Sequence, residues 1–471
     1  MAVESVVIAG GGVAGLGTAL AMARQGHSVT LLERDDTAPI ATAQDAFEVA
    51  RRGAPQVHQT HGFLARAAVV LRERFPDVLD TLLDAGCTTM SLAPAGAAPE
   101  PGDEDLGVLI VRRTTFEWAL RRAVVAEPGI EVRESVTVSA LMGTAGSGEA
   151  TPPVVSGVTL ADGSAVEADI VVAATGRRSG VPGWLAPLGV NTGERVHESG
   201  LVYLTRWYKL ADALVLPPSP KLGGDLGFVK YLVVPGDGQT LSATFAVRTD
   251  DAELRAALSD PQRFDRACHS LPGPDQWFGQ LILEPMGPVR PMGGLINRIR
   301  TFVDERGQPL CAGFHAVGDA HTCTNPLYGR GCSLALVQAG LLADATAAHP
   351  GDPAGRALAY EAACDVEVKP WWDVSVQMDK AGADPSGFVA GAGAGAQRGL
   401  RALLFAADKD PVIGRGLARF WNLLATPLDL MSDPHLMERI AAVMSDPQAP
   451  LLPPPDGPSR LEFLEELVAT P

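Results

Sequence analysis

Three glycines near the N-terminus have the spacing of a phosphate-binding turn. The stretch GGGVAG places Gly10, Gly12 and Gly15 in the pattern Gly-x-Gly-x-x-Gly. Glycines at these positions permit a tight turn, a close approach of the backbone to a diphosphate, and close packing of a helix on a strand. The pattern therefore predicts a binding site for a dinucleotide.

An acidic residue follows where such a site needs one. Glu33 ends the next apolar segment, and a carboxylate there accepts hydrogen bonds from the ribose of adenosine. Amides at the start of the helix after Gly12 are expected to face the diphosphate. This pattern alone does not separate FAD from NAD. The cofactor contacts predicted in this segment are Gly10, Gly12, Val13, Ala14, Gly15, Glu33 and Arg34.

The elements that position these residues are visible in the same segment. Residues 6–9 form a short apolar strand, and the glycine turn leads into a helix rich in Ala and Leu. Gly26 ends that helix, and a second apolar strand runs to Glu33. Strand, turn, helix, strand and acid therefore follow in the order of a Rossmann-like unit.

Two later apolar segments also end in turns of small or acidic residues. In AVEADIVVAATGRRS (165–179) the apolar run is closed by a turn that ends at Gly176, and in GFHAVGDAHTCTNP (313–326) it is closed by Gly318-Asp319. FAD is long, so a chain that binds its adenosine end at Glu33 needs a second contact near the ring. A carboxylate suits the hydroxyls of the ribityl chain, and Asp319 is the candidate.

Together these stretches resemble the flavoprotein monooxygenase superfamily, with the para-hydroxybenzoate-hydroxylase-like fold. The resemblance implies that Asp319 holds the ribityl chain and that the run from Pro326 wraps the isoalloxazine ring, with a helix N-terminus near its pyrimidine side. Two residues depart from the family pattern: His321 comes one position early, and Cys332 replaces a frequent Asn. The further FAD contacts implied are Arg51, Arg113, Val138, Gly176, Pro326, Gly329, Gly331 and Cys332.

VRRTTFEWALRRAV (111–124) resembles the family's helix that begins with a phosphate-binding Arg, here Arg113. The alternative is that Arg113 belongs with Arg112, Arg121 and Arg122 to a solvated basic face.

RRGAPQVHQTHGFLARA (51–67) is similar to the polyketide epoxidase branch and would place Arg51 or Arg52 beside the cofactor. His58 and His61 in this stretch could suggest a metal site. No third ligand is arranged nearby, so we expect no metal.

The expected fold class is α/β: a Rossmann-like FAD-binding domain with an inserted antiparallel β-sheet substrate domain and a C-terminal helical region. The FAD-binding domain is expected to be discontinuous, over 1–190 and 300–350. Short β-branched and aromatic runs between Pro and Gly turns predict the sheet domain over 190–300. Residues 351–471 are expected to form the helical region.

Candidate substrate contacts lie on one strand of that sheet. Tyr203, Thr205 and Trp207 share one face because side chains alternate along a strand. Ordinary packing within the sheet is the alternative explanation for this pattern.

The composition bounds the partners and the compartment. The net charge of −17 disfavours nucleic acids and anionic membranes. Six cysteines without Cys-x-x-Cys spacing favour a reducing cytoplasm. Glu4 stands where a signal peptide needs basic residues, and no apolar run is expected to reach the roughly 18 residues of a membrane helix, so we expect no stable membrane insertion.

The resemblance implies a flavin-dependent monooxygenase that inserts one oxygen atom from O2 into a largely apolar small-molecule metabolite, by epoxidation or hydroxylation through a C4a-hydroperoxyflavin. NAD(P)H would supply the electrons, directly or through a separate flavin reductase. No catalytic residue is assigned, because the cofactor carries the bond making.

Three alternatives remain. A flavin-dependent halogenase would carry a Trp-x-Trp-x-x-Pro signature and an essential lysine, neither of which is visible. An FAD-dependent alkene reductase would use the same cofactor site without oxygen. A flavin-binding redox sensor would hold FAD without turnover.

Overall fold

The structure is a computed structural model that describes residues 3–37, 40–146, 152–212, 221–383, 394–452 and 456–469. In these residues the strands are β1 Ser5–Ala9, β2 Ser28–Leu32, β3 Thr88–Ser91, β4 Gly107–Ile110, β5 Ile130–Arg133, β6 Val138–Thr144, β7 Val154–Leu160, β8 Ala165–Glu167, β9 Ile170–Ala173, β10 Gly193–Glu198, β11 Leu201–Leu210, β12 Gly223–Asp225, β13 Val229–Gly236, β14 Thr240–Arg248, β15 Leu283–Pro285, β16 Arg290–Met292, β17 Ile296–Thr301, β18 Phe314–Ala316 and β19 Thr322–Cys323. The helices are α1 Val13–Ala23, α2 Ala43–Glu48, α3 Ala65–Arg74, α4 Pro76–Asp84, α5 Arg113–Ala126, α6 Val181–Leu185, α7 Ala252–Ser259, α8 Pro261–Ser270, α9 Pro272–Phe278, α10 Gly331–Ala348, α11 Pro353–Glu367, α12 Lys369–Ala383, α13 Ala394–Ala407, α14 Pro411–Trp421, α15 Pro427–Met431, α16 Pro434–Ser445 and α17 Arg460–Val468.

A parallel sheet forms the centre of the cofactor-side domain. Its strand order is β18-β9-β1-β2-β5, and every pair is parallel. Strand β9 is buried along its whole length, as expected for a parallel strand covered on both faces. The order changes direction at β1, so a crevice is expected beyond the carboxyl ends of β1 and its neighbours.

Helices α1 and α10 pack side by side next to this sheet. Leu16 and Leu20 of α1 share one core with Leu336 of α10. A Cβ atom at Gly17 would lie only 3.0 Å from the Leu336 side chain, so the glycine allows the helices to approach closely. This packing brings the N-termini of both helices to the same edge of the sheet.

Helix α10 differs from the expectation that no apolar segment has membrane-spanning length. By length and composition alone it could cross a membrane, with 18 residues and a mean hydropathy of 1.3. However, 72% of that segment is buried inside the protein. Its apolar residues pack in the core.

The inserted domain is an antiparallel sheet with the order β12-β13-β14-β11-β15, and β16 also pairs with β11. Phe264 of α8 and Trp277 of α9 pack in one core with Phe245 of this sheet. Smaller antiparallel sheets are formed by β10-β17-β19, β6-β7-β8 and β3-β4. The expected α/β class with an inserted antiparallel sheet is confirmed.

The helices after residue 351 pack on both domains. Trp371 of α12 contacts Leu334 of α10, on the cofactor side. In contrast, Phe463 of α17 lies in the core of the inserted sheet, and Arg460 pairs with Asp251 at 2.8 Å. Helices of the region expected to be helical, 351–471, therefore pack against both the cofactor-side domain and the inserted sheet.

Candidate active site

A continuous cleft lies beyond the carboxyl ends of the parallel strands. The turns after β1, β2, β9 and β18 all contribute to its lining, and the segment 51–62 forms another wall. The parallel sheet brings these turns together, although they are far apart in sequence. The predicted cofactor contacts that line the cleft are Gly10, Gly12, Val13, Ala14, Glu33, Arg34, Arg51, Arg113, Val138, Gly176, Asp319, Pro326, Gly329, Gly331 and Cys332.

The glycine turn is shaped by close backbone contacts. Gly10 has a φ of +110°, and a Cβ atom there would lie 2.5 Å from the Ala174 carbonyl oxygen. A Cβ atom at Gly15 would lie 1.8 Å from the Gly10 carbonyl oxygen. Gly15 is not among the residues that line the cleft, and its lack of a side chain allows α1 to pack on the turn.

Glu33 is buried at the end of the cleft next to the glycine turn. Its Oε2 accepts from the Gly11 amide at 2.8 Å, and its Oε1 accepts from the Asp35 amide at 2.9 Å. Arg51 donates to the same carboxylate at 3.1 Å. The backbone thus holds the orientation of the carboxylate.

Arg51 joins several carboxylates beneath this end of the cleft. It pairs with Glu33, with Asp35 at 3.0 Å, and with Glu117. Burial alone would lower the pKa of Arg51, but the three carboxylates, Glu117 foremost, outweigh burial and raise it. Arg51 therefore keeps its positive charge at the wall of the cleft.

Arg113 lies between the N-termini of α1 and α10. It donates to Glu117 at 3.2 Å and to Cys332 Sγ at 3.1 Å, and its Nη2 lies 4.0 Å from the Cβ position of Gly12. Burial would lower its pKa, but Cys332 and Glu117 outweigh that effect and raise it. A permanent cation beside two helix N-termini suits an anion.

The neighbouring arginines do not form the solvated basic face considered as an alternative. Arg112 is 2% exposed and pairs with Asp237 at 2.8 Å. Arg121 is buried and donates to the Gly11 carbonyl oxygen at 2.9 Å. That alternative is wrong for both residues.

Asp319 lines the same cleft, one residue after a glycine with a positive φ. Gly318 has a φ of +60°, and a Cβ atom there would lie 2.7 Å from the Cβ of Ala14. Burial raises the pKa of the Asp319 carboxyl, and Arg177 acts in the opposite direction. The Cβ position of Gly331 is 3.9 Å from Asp319 Oδ1, so this carboxylate faces the start of α10.

The lining contains polar groups that the protein does not satisfy. Arg177 Nη1 and Thr324 Oγ1 are buried and have no hydrogen-bond partner. Such atoms destabilise the folded protein unless a ligand or water pairs with them. Among the described residues that line the cleft, arginines outnumber the two carboxylates, Glu33 and Asp319. This excess of positive charge suits a diphosphate. The lining arginines are Arg34, Arg51, Arg52, Arg113, Arg177 and Arg178.

These residues fit FAD. Amides at the glycine turn and at the start of α10, together with Arg113, would hold its diphosphate and ring edge. Glu33 and Asp319 both line the cleft, after different parallel strands, and each carboxylate could accept hydrogen bonds from sugar or ribityl hydroxyls.

The three candidate substrate contacts share one face of β11, but only Tyr203 lines the cleft. Trp207 donates from Nε1 to the His58 carbonyl oxygen at 2.8 Å. Thr205 donates to Gln59 Oε1 at 2.7 Å. The segment around Gln59 covers these two side chains, so they do not line the cleft.

The two histidines of the 51–67 segment bond to different backbone carbonyls. His58 Nε2 lies 2.6 Å from the Phe47 oxygen, and His61 Nδ1 lies 2.9 Å from the Gln59 oxygen. Burial and the neighbouring Arg113 lower the pKa of His61 to about 3, so it is neutral at the cleft wall. No group of three or more His, Cys, Asp or Glu in the described part of the chain could hold a metal.

Comparisons with known proteins agree with this geometry. Residues 5–96 match the family model described as FAD dependent oxidoreductase. The structure of PqsL from Pseudomonas aeruginosa, described as a probable FAD-dependent monooxygenase, superposes with a TM-score of 0.58 at 16% identity, over 82% of this chain and 98% of PqsL. This chain has the FAD-dependent monooxygenase fold.

Proteins with other chemistry share the fold. The flavin-dependent brominase Bmp2 superposes with a TM-score of 0.64 at 17% identity, over 94% of this chain and 98% of Bmp2. The Diels-Alderase PyrE3 of pyrroindomycin biosynthesis superposes with a TM-score of 0.58 at 17% identity, over 89% of this chain and 80% of PyrE3. No curated protein sequence is significantly similar to this chain. The monooxygenase fold therefore leaves the specific reaction open.

Several lining residues were not predicted from the sequence. Arg177 follows Gly176 in the turn after β9. Its position just after a parallel strand could have predicted that it lines the cleft. Gln59 and Thr60 lie in a segment already singled out, but no local pattern marks them. Met292 comes from β16, and no local signal placed it in the wall of the cleft.

Proposed function

We propose that this protein is an FAD-dependent monooxygenase that inserts one oxygen atom from O2 into a small-molecule metabolite, by hydroxylation or epoxidation. The observation that carries the proposal is that Glu33 and Asp319 line one cleft together with the glycine turn. A nicotinamide dinucleotide bound at the glycine turn would not need the second set of contacts at Asp319, Gly329 and Gly331.

Each group of residues has a proposed task. Glu33 and Arg51 bind the adenosine end, Arg113 and the amides after Gly12 bind the diphosphate, and Asp319 binds the ribityl hydroxyls. Bound FAD supplies the redox and oxygen chemistry. The chain contributes position and a wall that excludes water.

The N-terminus of α10 has a separate task toward the ring. Its first amides, at Gly331 and Cys332, stand at the positive end of an 18-residue helix. Negative charge that develops on the ring is stabilised by such an end. Burial raises the pKa of the Cys332 thiol, so this residue stays a neutral thiol rather than an anion that would oppose that charge.

We propose NAD(P)H as the electron source, used directly or through a separate flavin reductase. The described residues that line the cleft include no second glycine-rich turn after a parallel strand, so NAD(P)H would approach transiently. Comparing NADH and NADPH oxidation by the purified protein, with and without an added flavin reductase, decides between the two routes.

A halogenase is the second candidate, because the brominase Bmp2 has the same fold over nearly all of both chains. Against it, no lysine is found among the described residues that line the cleft. An alkene reductase would use the same cofactor contacts, and it differs from both other candidates because its reaction needs no oxygen.

One experiment distinguishes the three reactions. The protein is purified with FAD, supplied with a reductant and a panel of hydroxylated aromatic compounds, and kept under oxygen-18 gas with or without bromide. Monooxygenation gives product that carries one labelled oxygen atom. Brominated product would favour the halogenase, and turnover in the absence of oxygen would favour the reductase. Failure to bind FAD would overturn all three.

A further inference from the structure

His61 accepts a hydrogen bond from Arg113, and two independent contacts determine this direction. The His61 Nδ1 lies 2.9 Å from the Gln59 carbonyl oxygen, which can only accept, so the ring proton is on Nδ1. Its Nε2 lies 3.4 Å from Arg113 Nη1, which can only donate, so Nε2 is the unprotonated nitrogen. Both contacts therefore require the same neutral tautomer. Burial, and then the neighbouring Arg113, lower the pKa of His61 to about 3, which keeps the ring neutral near pH 7.

The two ring nitrogens of His61 are both engaged by the protein, although His61 lines the cleft. A general base must reach the proton that it removes, and its pKa must lie near the working pH. The lone pair on Nε2 is used by Arg113, and the pKa of the ring is far too low. The role of His61 in the cleft is therefore directed toward Arg113 and not toward a reacting molecule.

The guanidinium of Arg113 carries one N–H on Nε and two on each terminal nitrogen. Nε and Nη2 each donate to Glu117 Oε2 at 3.2 Å. The two protons of Nη1 are enough for His61 and for Cys332 Sγ, which lies 3.1 Å away. Nη2 lies 4.0 Å from the Cβ position of Gly12. Within the described part of the chain, Arg113 thus keeps one free donor, on the nitrogen nearest to the glycine turn.

The carbonyl group that orients His61 is held by the inserted sheet. The Gln59 side chain accepts from Thr205 of β11 at 2.7 Å and donates to the Arg290 carbonyl oxygen of β16 at 3.1 Å. These bonds fix Gln59, and its own carbonyl oxygen then fixes the orientation of the His61 ring. A series of hydrogen bonds therefore runs from the inserted sheet through His61 to Arg113.

We propose that His61 is a positioning residue for the diphosphate of FAD. By accepting from Nη1, it holds Arg113 in the orientation that presents the free Nη2 donor at the glycine turn. This inference rests on the proposed function in taking the cleft as the FAD site. Without an acceptor at His61, the guanidinium would turn to find another partner, because a buried N–H without one destabilises the protein. The effect should be confined to ligands that carry a phosphate.

Two matched ligands isolate the phosphate contact. The full chain, freed of FAD, is titrated calorimetrically with ADP and with adenosine, which differ only by the diphosphate. His61→Leu has a similar volume but no acceptor, and it should reduce the preference for ADP about 3- to 10-fold, the value of one hydrogen bond. His61→Gln offers an acceptor in its side-chain oxygen and should keep the preference. An unchanged preference in His61→Leu would overturn the proposal, as would an equal loss in both variants.

A double variant shows whether His61 acts through Arg113. Arg113→Met removes the guanidinium, so adding His61→Leu to it should cause no further loss of the ADP preference. Additive losses would mean that His61 acts by another route and would contradict the proposal. His58→Leu is the control, because His58 lies in the same segment, contacts the Phe47 carbonyl oxygen at 2.6 Å and is not among the described residues that line the cleft. A loss in His58→Leu equal to that in His61→Leu would also overturn the proposal.

The tautomer of His61 is tested without any ligand. Nitrogen-15 chemical shifts of the imidazole distinguish a proton on Nδ1 from one on Nε2, and the spectrum of His61→Gln assigns the signals. We expect the proton on Nδ1 at neutral pH, and a proton on Nε2 would leave no acceptor for Arg113 and overturn the proposal. If wild type binds neither FAD nor ADP, the proposed function fails and the inference with it. If wild type binds FAD but His61→Leu keeps the full ADP preference, only the inference fails.

Discussion

The backbone amide of Gly11 donates a hydrogen bond of 2.8 Å to the carboxylate of Glu33. The contact joins the turn after β1 to the residue that follows β2. These two strands are parallel neighbours, and their pairing runs from Ser5 opposite Ser28 to Ala9 opposite Leu32. Together with the Asp35 amide, which donates to the other oxygen, this contact orients the carboxylate. The protein itself therefore preforms this part of the cleft, where we propose that adenosine binds.

Replacing Glu33 with Ala should weaken FAD binding by about 1 to 3 kcal/mol, because the variant loses a charged acceptor and leaves the Gly11 amide unpaired. The measurement is the dissociation constant of FAD, by quenching of flavin fluorescence. Glu131→Ala is the control: Glu131 lies on the adjacent strand β5, with 60% of its side chain exposed, and should bind FAD as the wild type does. Equal affinity in Glu33→Ala would rule out its proposed role.

Replacing Asp319 with Ala should weaken FAD by about 1 to 3 kcal/mol, the cost of leaving ribityl hydroxyls without a charged partner. Asp344→Ala serves as the comparison, because Asp344 lies in the last turns of α10 with 52% of its side chain exposed. Calorimetric titration of both apoproteins with FAD gives the two affinities. Unchanged affinity in Asp319→Ala would remove this carboxylate from the site.

Gly318→Ala should destabilise the fold, because the new methyl group would meet Ala14 at 2.7 Å and the backbone has a φ of +60°. We expect about 1 to 3 kcal/mol for the steric overlap and roughly 1 kcal/mol more for the backbone strain. Adding Ala14→Gly removes the methyl group on the other side. Urea unfolding of both single variants and the double variant should show a favourable coupling energy. Strict additivity would mean that the two residues do not touch.

Acid should destabilise the protein partly through His315, a buried residue of β18. Burial, with a contribution from Arg356, lowers its pKa from the ordinary 6.5 to about 3. Between these values the unfolded chain binds a proton that the folded chain does not, so the stabilising effect is complete above pH 6.5 and is lost as the pH falls toward 3. His315 alone should lower the free energy of unfolding by about 1 kcal/mol between pH 6.5 and 5.5.

The check is urea unfolding at both pH values for wild type and for His315→Gln. The variant should lose about 1 kcal/mol less on acidification. His269→Gln is the control, because 55% of the His269 side chain is exposed. An identical pH dependence in wild type and His315→Gln would contradict the buried, neutral state of His315.

The cofactor end of the site could be predicted from local patterns. Gly10, Glu33, Gly176 and Asp319 each follow a short apolar segment, and such segments pair as parallel strands whose carboxyl ends must lie at one edge. A residue directly after a strand therefore reaches that edge whatever the rest of the chain does. Gly15 was recognised by the same pattern, yet only the packing of α1 on the turn showed that it does not line the cleft.

The wall of the cleft on the side of the inserted sheet depended on the tertiary structure. Thr205 and Trp207 alternate correctly along β11, but the period of a strand cannot tell which side chains another segment will cover. The hydrogen bonds of Thr60 and Tyr203 belong to networks that join residues remote in sequence, since Gln59 and Arg290 are 231 positions apart and Asn325 and Asp379 are 54 apart. A hydroxyl is both donor and acceptor in the sequence, and only its folded partners determine which role remains for a ligand.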